Sequence, residues 1–126
     1  MYQEHKDVVV FRIIYLREAH ASDGDWPVPY AAEKGLTEHK DYAERCVAAQ
    51  KLLTDKKLTI PTIIDKIDNK VAEAYDAMPN RAFIVRKDGR LAVAASQGPR
   101  GYAPALKEIE KWLAQYKKSG KEPGLP

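Results

Sequence analysis

Blocks of apolar and polar residues along the chain predict an α/β protein. Val8 to Leu16 is nearly all apolar and rich in β-branched residues, which is typical of a strand covered on both faces. A polar, turn-rich stretch from Arg17 to Gly35 follows and predicts a long loop, a kind of segment that often carries function. Apolar residues at spacings of three and four then predict a helix over Glu38 to Lys56, and a second short strand is expected at Thr59 to Asp65.

The second half of the chain predicts a short helix, a hairpin and a longer helix. Asp68 and Asn69 can cap a helix that runs to Tyr75. Strands are expected at residues 82–85 and 91–95, joined by an Asp-Gly turn. Pro104 suits the first turn of a last helix. The order strand, helix, strand, helix, hairpin, helix predicts a thioredoxin-like α/β fold.

The length and charge of the chain limit the number of domains and the classes of partner that it can have. Its 126 residues suit one domain, which we place at residues 1–116, followed by a polar C-terminal tail at residues 117–126. The net charge of +3 comes from interspersed charges, so composition does not support a nucleic-acid binder. Apolar runs fall short of the roughly 20 residues of a membrane span, and the polar opening residues do not resemble a signal peptide. We therefore expect a cytoplasmic protein without membrane or nucleic-acid partners.

Cysteine and histidine usage excludes several kinds of site. A single cysteine, Cys46, cannot form an internal disulfide or a Cys-rich zinc site. Cys46 falls on the apolar stripe of its predicted helix, where a cysteine is usually an inert small hydrophobe. The spacing of Glu18, His20, Asp23 and His39 fits no standard metal-ligand pattern. We expect neither a metal nor a bound cofactor.

Polar residues after the first predicted strand indicate a functional edge. His20 follows the carboxyl end of that strand, the edge at which open α/β sheets bind ligands, and histidine transfers protons near neutral pH. Glu18 points to the same side as His20 if the chain is extended there, because alternate residues share a side. A surface histidine and a solvated glutamate are the simpler alternatives.

A run of residues in this region resembles the iodothyronine deiodinase family. The run is Tyr-Leu-Arg-Glu-Ala-His-Ala-Ser-Asp-Gly at residues 15–24, with Trp26 close behind, although Asp25 is inserted before that tryptophan. Other segments of family-like spacing are His39 to Gln50, Met78 to Arg81, Gly98 to Tyr102 and Glu110 to Leu113. Residues 60–90 also resemble the broader redoxin families.

The resemblance implies an oxidoreductase that removes iodine reductively from an iodinated aromatic compound such as thyroid hormone, with a thiol as reductant. His20 and Glu18 would be the catalytic residues that manage protons. Tyr15, His39 and Arg81 would contact the small aromatic substrate. For Tyr15 a core position, for His39 an exposed helix start and for Arg81 a surface salt bridge are the alternatives. Pro79 matches the position of the cis-proline in thioredoxin-like folds.

The resemblance also implies that part of the family's domain lies outside the chain. The family's nucleophile, a selenocysteine or cysteine, follows a strand that would precede residue 1. We therefore expect an N-terminally incomplete fold that is inactive as an isolated chain. Unpaired strand edges invite association, so a homodimer or a larger species, or poor solubility, is expected. A redoxin-type thiol peroxidase or disulfide reductase, or a non-catalytic binding module, remain the alternative functions.

Overall fold

The computed structural model describes residues 1–124, apart from the side chains at positions 99 and 101. Helices and short strands occur in the order that the sequence predicts for an α/β protein, preceded by one additional short helix. The last two residues of the predicted tail, 125 and 126, lie outside the described residues. The elements are α1 (Tyr2–His5), β1 (Ile13–Tyr15), α2 (Tyr42–Asp55), β2 (Thr62–Ile64), α3 (Lys70–Ala74), β3 (Phe83–Val85), β4 (Leu91–Ala94) and α4 (Gly98–Ser119).

The chain divides into two compact units. One, here called the parallel unit, comprises Phe11–Asp76 and holds β1, α2, β2 and α3. The other, here called the hairpin unit, comprises Met1–Val10 with the described residues from Ala77 onward. Each contains its own two-stranded sheet.

The sheet of the parallel unit is a short parallel ladder. Ile13, Ile14 and Tyr15 align with Thr62, Ile63 and Ile64. Backbone bonds extend the pairing at both ends, because the Ile13 N–H donates to the Pro61 carbonyl at 3.1 Å and the Asp65 N–H donates to the Tyr15 carbonyl at 2.9 Å. Parallel strands need a crossover, which α2 supplies.

The first strand is shorter than predicted. The expectation of a strand from Val8 to Leu16 was wrong in extent, since only Ile13–Tyr15 is strand. The N–H groups of Val8 and Val9 both donate to the His5 carbonyl at 3.0 Å, in a turn that follows α1. Val10 is 81% exposed. A local turn after an unpredicted helix thus overrides the β propensity of three consecutive valines.

Helix α2 begins later than predicted, and a charged residue shares its buried face. Asp41 is its N-cap and accepts from the Glu44 N–H at 2.8 Å, while the Glu44 carboxylate accepts from the Lys40 N–H at 2.8 Å. These two bonds terminate the preceding loop. Arg45 and Ala49 are the buried residues of the helix. The apolar residues at spacings of three and four that predict this helix begin with Tyr42, and the prediction was wrong there because the Tyr42 side chain is exposed.

The hairpin of the other unit was predicted closely. In the antiparallel pair, Phe83 aligns with Ala94 and Ile84 with Val93, and the register shifts after Ile84. Gly89 has φ +84°, the left-handed conformation that the Asp-Gly turn predicts. The turn closes through the Arg86 N–H, which donates to the Arg90 carbonyl at 2.8 Å.

Helix α4 supplies the core of the hairpin unit and contacts β4. It begins at Gly98, so the start expected at Pro104 was wrong, and Pro104 lies inside the helix. Ile109, Trp112 and Leu113 are buried at the spacing of one helical face. The helix continues to Ser119, beyond the predicted domain limit at residue 116. Among the described residues, neither this helix nor any other is long and apolar enough to cross a membrane.

Candidate functional site

The carboxyl ends of β1 and β2 meet at one edge of the parallel unit. Tyr15 ends β1, and Asp65 directly follows β2 and bonds to the Tyr15 carbonyl. The Asp65 carboxylate is buried and accepts from the N–H groups of Val71 at 3.3 Å and Ala72 at 2.9 Å, in the first turn of α3. A carboxylate there satisfies helix donors and favours the positive end of the helix dipole. Asp65 therefore fixes the edge on which Tyr15 lies.

Glu18 and His20 lie in the loop that leaves this edge. A Glu18 carboxylate oxygen accepts from the backbone N–H of His20 at 3.2 Å, so its described bond is to the main chain rather than to the imidazole. The imidazole Nδ1 of His20 lies 3.0 Å from the Trp26 carbonyl oxygen. A carbonyl can only accept, so Nδ1 carries a proton. In neutral His20 the proton acceptor is consequently Nε2.

The long loop is tied together close to His20. The N–H of Ser22 donates to the Leu36 carbonyl at 2.7 Å, and Asp23 Oδ1 accepts from the Glu38 N–H at 2.7 Å. Ala21 and Ala31 are fully buried within the loop. These bonds bring the stretch before α2 back toward the end of β1, which is how His39 comes close to Tyr15.

Tyr15 and His39 form an aromatic pair beside a buried arginine. Their ring centroids are 6.0 Å apart with the planes inclined at 42°. Arg45 Nε donates to His39 Nδ1 at 3.4 Å. Arg45 Nη1 also donates to the carbonyls of Asp65 at 3.1 Å and Lys66 at 2.6 Å. The cluster Tyr15–His39–Arg45 thus joins the end of β1, the start of α2 and the segment after β2.

Burial and charge keep both rings of this pair neutral. Burial raises the pKa of Tyr15, and the nearby Glu18 carboxylate raises it further, against an opposing effect of Arg45. Burial lowers the pKa of His39 below 6.5, and the Arg45 guanidinium lowers it further. At pH 7 the edge therefore presents an un-ionised phenol and an uncharged imidazole, a pair suited to hydrogen bonding with a polar aromatic ligand.

Two predicted site residues belong to the hairpin unit. The Met78–Pro79 peptide bond is cis, the conformation that the sequence led us to expect. The Gly98 N–H donates to the Asn80 carbonyl at 3.1 Å, which joins the start of α4 to the segment after Pro79. Arg81 Nε donates to the Ala95 carbonyl at 2.7 Å, and its guanidinium lies 5.1 Å from the centroid of Phe83. Arg81 is thereby held against the hairpin.

Cys46 lies within α2 and is partly buried. Across residues 1–124, no group of three or more His, Cys, Asp or Glu side chains is arranged to hold a metal ion.

Two residues that build this site, Arg45 and Asp65, were not predicted as site residues from the sequence. The sequence predicts Asp65 only as the last residue of a strand and assigns no role to Arg45. A charged residue four positions before the buried Ala49 is the signal that could have placed Arg45 on the inner face of α2. The role of Asp65 was open to prediction from its position ahead of a short helix.

Comparison with known proteins identifies relatives along nearly the whole chain. Residues 1–117 match the family described as iodothyronine deiodinase. The chain is 37% identical to a type II iodothyronine deiodinase of Neoceratodus forsteri, over 90% of this chain and 42% of that protein. It is 34% identical to a thyroxine 5-deiodinase of Sparus aurata (90% and 40%) and 32% identical to that of Gallus gallus (94% and 43%). The chain thus spans about two fifths of the length of these relatives.

Proposed function

Because the chain belongs to the iodothyronine deiodinase family, we propose that it takes part in the reductive removal of iodine from an iodinated phenol such as thyroxine. The observation that supports this most directly is the group of Tyr15, His39 and Arg45 at the carboxyl edge of β1 and β2. A neutral imidazole and a neutral phenol there match the hydrogen-bonding needs of a phenolic ligand.

The proposed reaction replaces a carbon–iodine bond by a carbon–hydrogen bond. A nucleophilic selenium or sulfur atom takes the iodine, the ring carbon keeps the electron pair, and a proton completes the product. Two thiol groups then return the nucleophile to its reduced state, releasing iodide and a proton and leaving as a disulfide. Cys46 is mid-helix and partly buried, so we assign the residues of this chain to proton transfer and binding rather than to nucleophilic attack.

His20 is the proposed proton donor and acceptor. Its Nδ1–H is directed to the Trp26 carbonyl, which leaves Nε2 as the atom that exchanges a proton with the ligand. Glu18 holds the backbone of His20 through the bond at 3.2 Å and places a negative charge close by. Both are therefore proposed to serve the proton transfer, Glu18 mainly by fixing the loop.

His39, Tyr15 and Arg81 are the proposed substrate contacts. The Nε2–H of His39 donates to an oxygen of the ligand, and the Tyr15 ring packs beside the imidazole. We propose that the Arg81 guanidinium, fixed by its bond to the Ala95 carbonyl, holds an acidic or phenolic group of a ligand.

The finer sequence expectations are part of the same proposal. We propose a thioredoxin-like arrangement, which the order of the helices and strands supports. We also propose a thiol reductant and a cytoplasmic location, and both of these rest on the sequence. We also propose self-association. Ile14 and Ile63, which align across β1 and β2, are both exposed, and an apolar patch with open strand edges favours association.

Iodide release tests the proposed reaction. The chain is incubated with thyroxine and dithiothreitol, in parallel with an extended form in which the strand and nucleophile segment typical of the family are fused ahead of residue 1. We expect release from the extended form, and a loss of roughly 100-fold or more in His20→Gln. Lys107→Gln, on the exposed side of α4, is the control. No release from the extended form would overturn the proposal, and full turnover by the unextended chain would contradict the roles assigned here.

A further inference from the structure

Arg45 is buried at the point where the candidate site is assembled. Its side chain is 2% exposed, which is rare for an arginine unless its donors are satisfied. Nη1 donates to the carbonyls of Asp65 and Lys66, the two residues that follow β2. Two carbonyls that bind the same guanidinium nitrogen fix the plane of the group, and with it the directions of the remaining N–H bonds.

One of these N–H groups reaches His39. Arg45 Nε–H donates to His39 Nδ1 at 3.4 Å. Arginine stays protonated in proteins and cannot accept, so His39 Nδ1 must be the acceptor. A neutral imidazole that accepts at Nδ1 carries its proton on Nε2. His20 has the opposite arrangement, since its Nδ1 donates to the Trp26 carbonyl.

Some of the charges around His39 lower its pKa and others raise it. Burial and the Arg45 guanidinium lower the pKa of His39, whereas the carboxylates of Glu18, Glu44 and Glu38 raise it. The Tyr15 ring packs against the imidazole, and the pKa of its phenol is raised, so it adds no charge at neutral pH. Arg45 is thus the cation that offsets three acidic neighbours.

We propose that Arg45 is a positioning residue that holds His39 as a neutral imidazole with its proton on Nε2, ready to donate to an acceptor atom of the bound ligand. The tautomer follows from the hydrogen bonds of Arg45 alone. The use of that donor for an iodinated phenol rests on the function proposed above. Arg45 itself does not need to touch the ligand.

Nitrogen NMR of the histidines tests the tautomer directly. In the ¹⁵N-labelled chain, two-bond proton–nitrogen correlations distinguish Nδ1–H from Nε2–H for His20 and His39. We expect Nε2–H for His39 and Nδ1–H for His20 in the wild type. In Arg45→Met, His39 should populate both tautomers and its titration midpoint should move upward, while the His20 pattern stays the same. Arg12→Met, which removes an exposed arginine of the same unit, should change neither residue.

A second variant separates charge from geometry. Arg45→Lys keeps a positive charge but has no Nε–H, so it should release the tautomer of His39 with a smaller upward shift of the midpoint than Arg45→Met. Amide dispersion shows whether each variant is folded. An Nδ1–H tautomer for wild-type His39 overturns the proposal without any variant. Unchanged His39 tautomer and midpoint in a folded Arg45→Met also overturn it.

Ligand binding tests what the donor is used for. Calorimetric titration with thyroxine is compared for wild type, Arg45→Met, His39→Phe and the double variant. If Arg45 acts through His39, Arg45→Met should weaken binding in the wild type but have no further effect once His39 is replaced. Equal losses in both backgrounds would overturn the indirect role. Because the NMR result needs no ligand, it stands or falls separately from the proposed deiodination.

Discussion

The two units of the chain are stabilised in different ways. In the hairpin unit, apolar residues of α4 make the core, and Leu113 is only 3% exposed. In the parallel unit, β1 and β2 are three residues each, and buried Arg45 and Asp65 connect them to the surrounding helices. The hairpin unit therefore depends mostly on packing, and the parallel unit depends to a larger extent on directed polar bonds.

The unit that depends more on polar bonds is also the one that contains the Tyr15–His39–Arg45 cluster. The rings of Tyr15 and His39, whose pKa values are shifted, lie in the parallel unit beside Arg45. Polar bonds fix direction and tautomer, which packing alone does not. A site that has to present particular hydrogen-bonding atoms is accordingly built where buried polar groups carry part of the structure.

Removing core volume from α4 should give the largest loss of stability. Leu113→Ala leaves a cavity in the hairpin unit, and we expect the free energy of unfolding to fall by about 2–5 kcal/mol. Denaturant unfolding measures this change. Gln115→Ala, on the exposed side of the same helix, should be nearly neutral. Similar effects of the two substitutions would contradict the assignment of α4 as the core element.

Removing the buried carboxylate of Asp65 should give the next largest loss of unfolding free energy. Asp65→Ala leaves two N–H groups of α3 without their acceptor, at an expected cost of roughly 1–3 kcal/mol in unfolding free energy. Asp68→Ala is the matched control, because Asp68 is exposed and water can replace its bond to the Lys70 N–H. We expect the same denaturant titration to show a clearly smaller loss for Asp68→Ala. Equal losses would argue against a special role of the buried carboxylate.

The electrostatic coupling of Glu18 to Tyr15 should give the smallest change. Glu18→Gln removes one of the causes that raise the pKa of Tyr15, so its phenol should ionise at a lower pH. Because that pKa is raised above 10 in the folded chain, the stability it confers is present below pH 10 and is lost as the pH rises through the folded value.

Ultraviolet absorbance of tyrosinate follows this ionisation. Tyr15→Phe identifies the step that belongs to Tyr15, since the chain has seven tyrosines. Glu33→Gln, an exposed glutamate of the same unit, is the control and should leave the step in place. A step that does not move in Glu18→Gln would show that burial alone sets the pKa of Tyr15.

Sequence patterns predicted the elements that are governed by local rules. The apolar face of α4 and the Asp-Gly turn follow from helix periodicity and from the conformational freedom of Gly89. The start of α4 and the length of β1 were missed. Pro104 is tolerated inside α4, and the turn after α1 removes Val8 and Val9 from the sheet. The start of α4 and the length of β1 both depend on contacts with neighbouring segments, and the spacing of apolar residues carries no information about such contacts.

The residues of the candidate site could be predicted from the sequence, but the hydrogen bonds between them could not. Position after β1 pointed to Glu18 and His20 from sequence alone. That Glu18 bonds to a backbone N–H, and that His39 bonds to Arg45, depends on how the long loop folds back. The spacing of Arg45 and Ala49 puts both on one face of α2, but an arginine at such a position is usually exposed, so its contact with His39 became visible only in the structure.

Calorimetric titration of the chain with thyroxine tests the proposed site most directly. Wild type is compared with His20→Ala, His39→Ala and Arg81→Ala, and with Lys107→Ala on the exposed side of α4 as control. Loss of one hydrogen-bond donor to the ligand should weaken binding about 5- to 30-fold in His39→Ala, which corresponds to roughly 1–2 kcal/mol. The control should bind as the wild type does. Equal affinity for wild type, His20→Ala and His39→Ala would contradict the assignment of these two residues to a phenol-binding site, and equal affinity for Arg81→Ala would contradict the ligand contact proposed for Arg81.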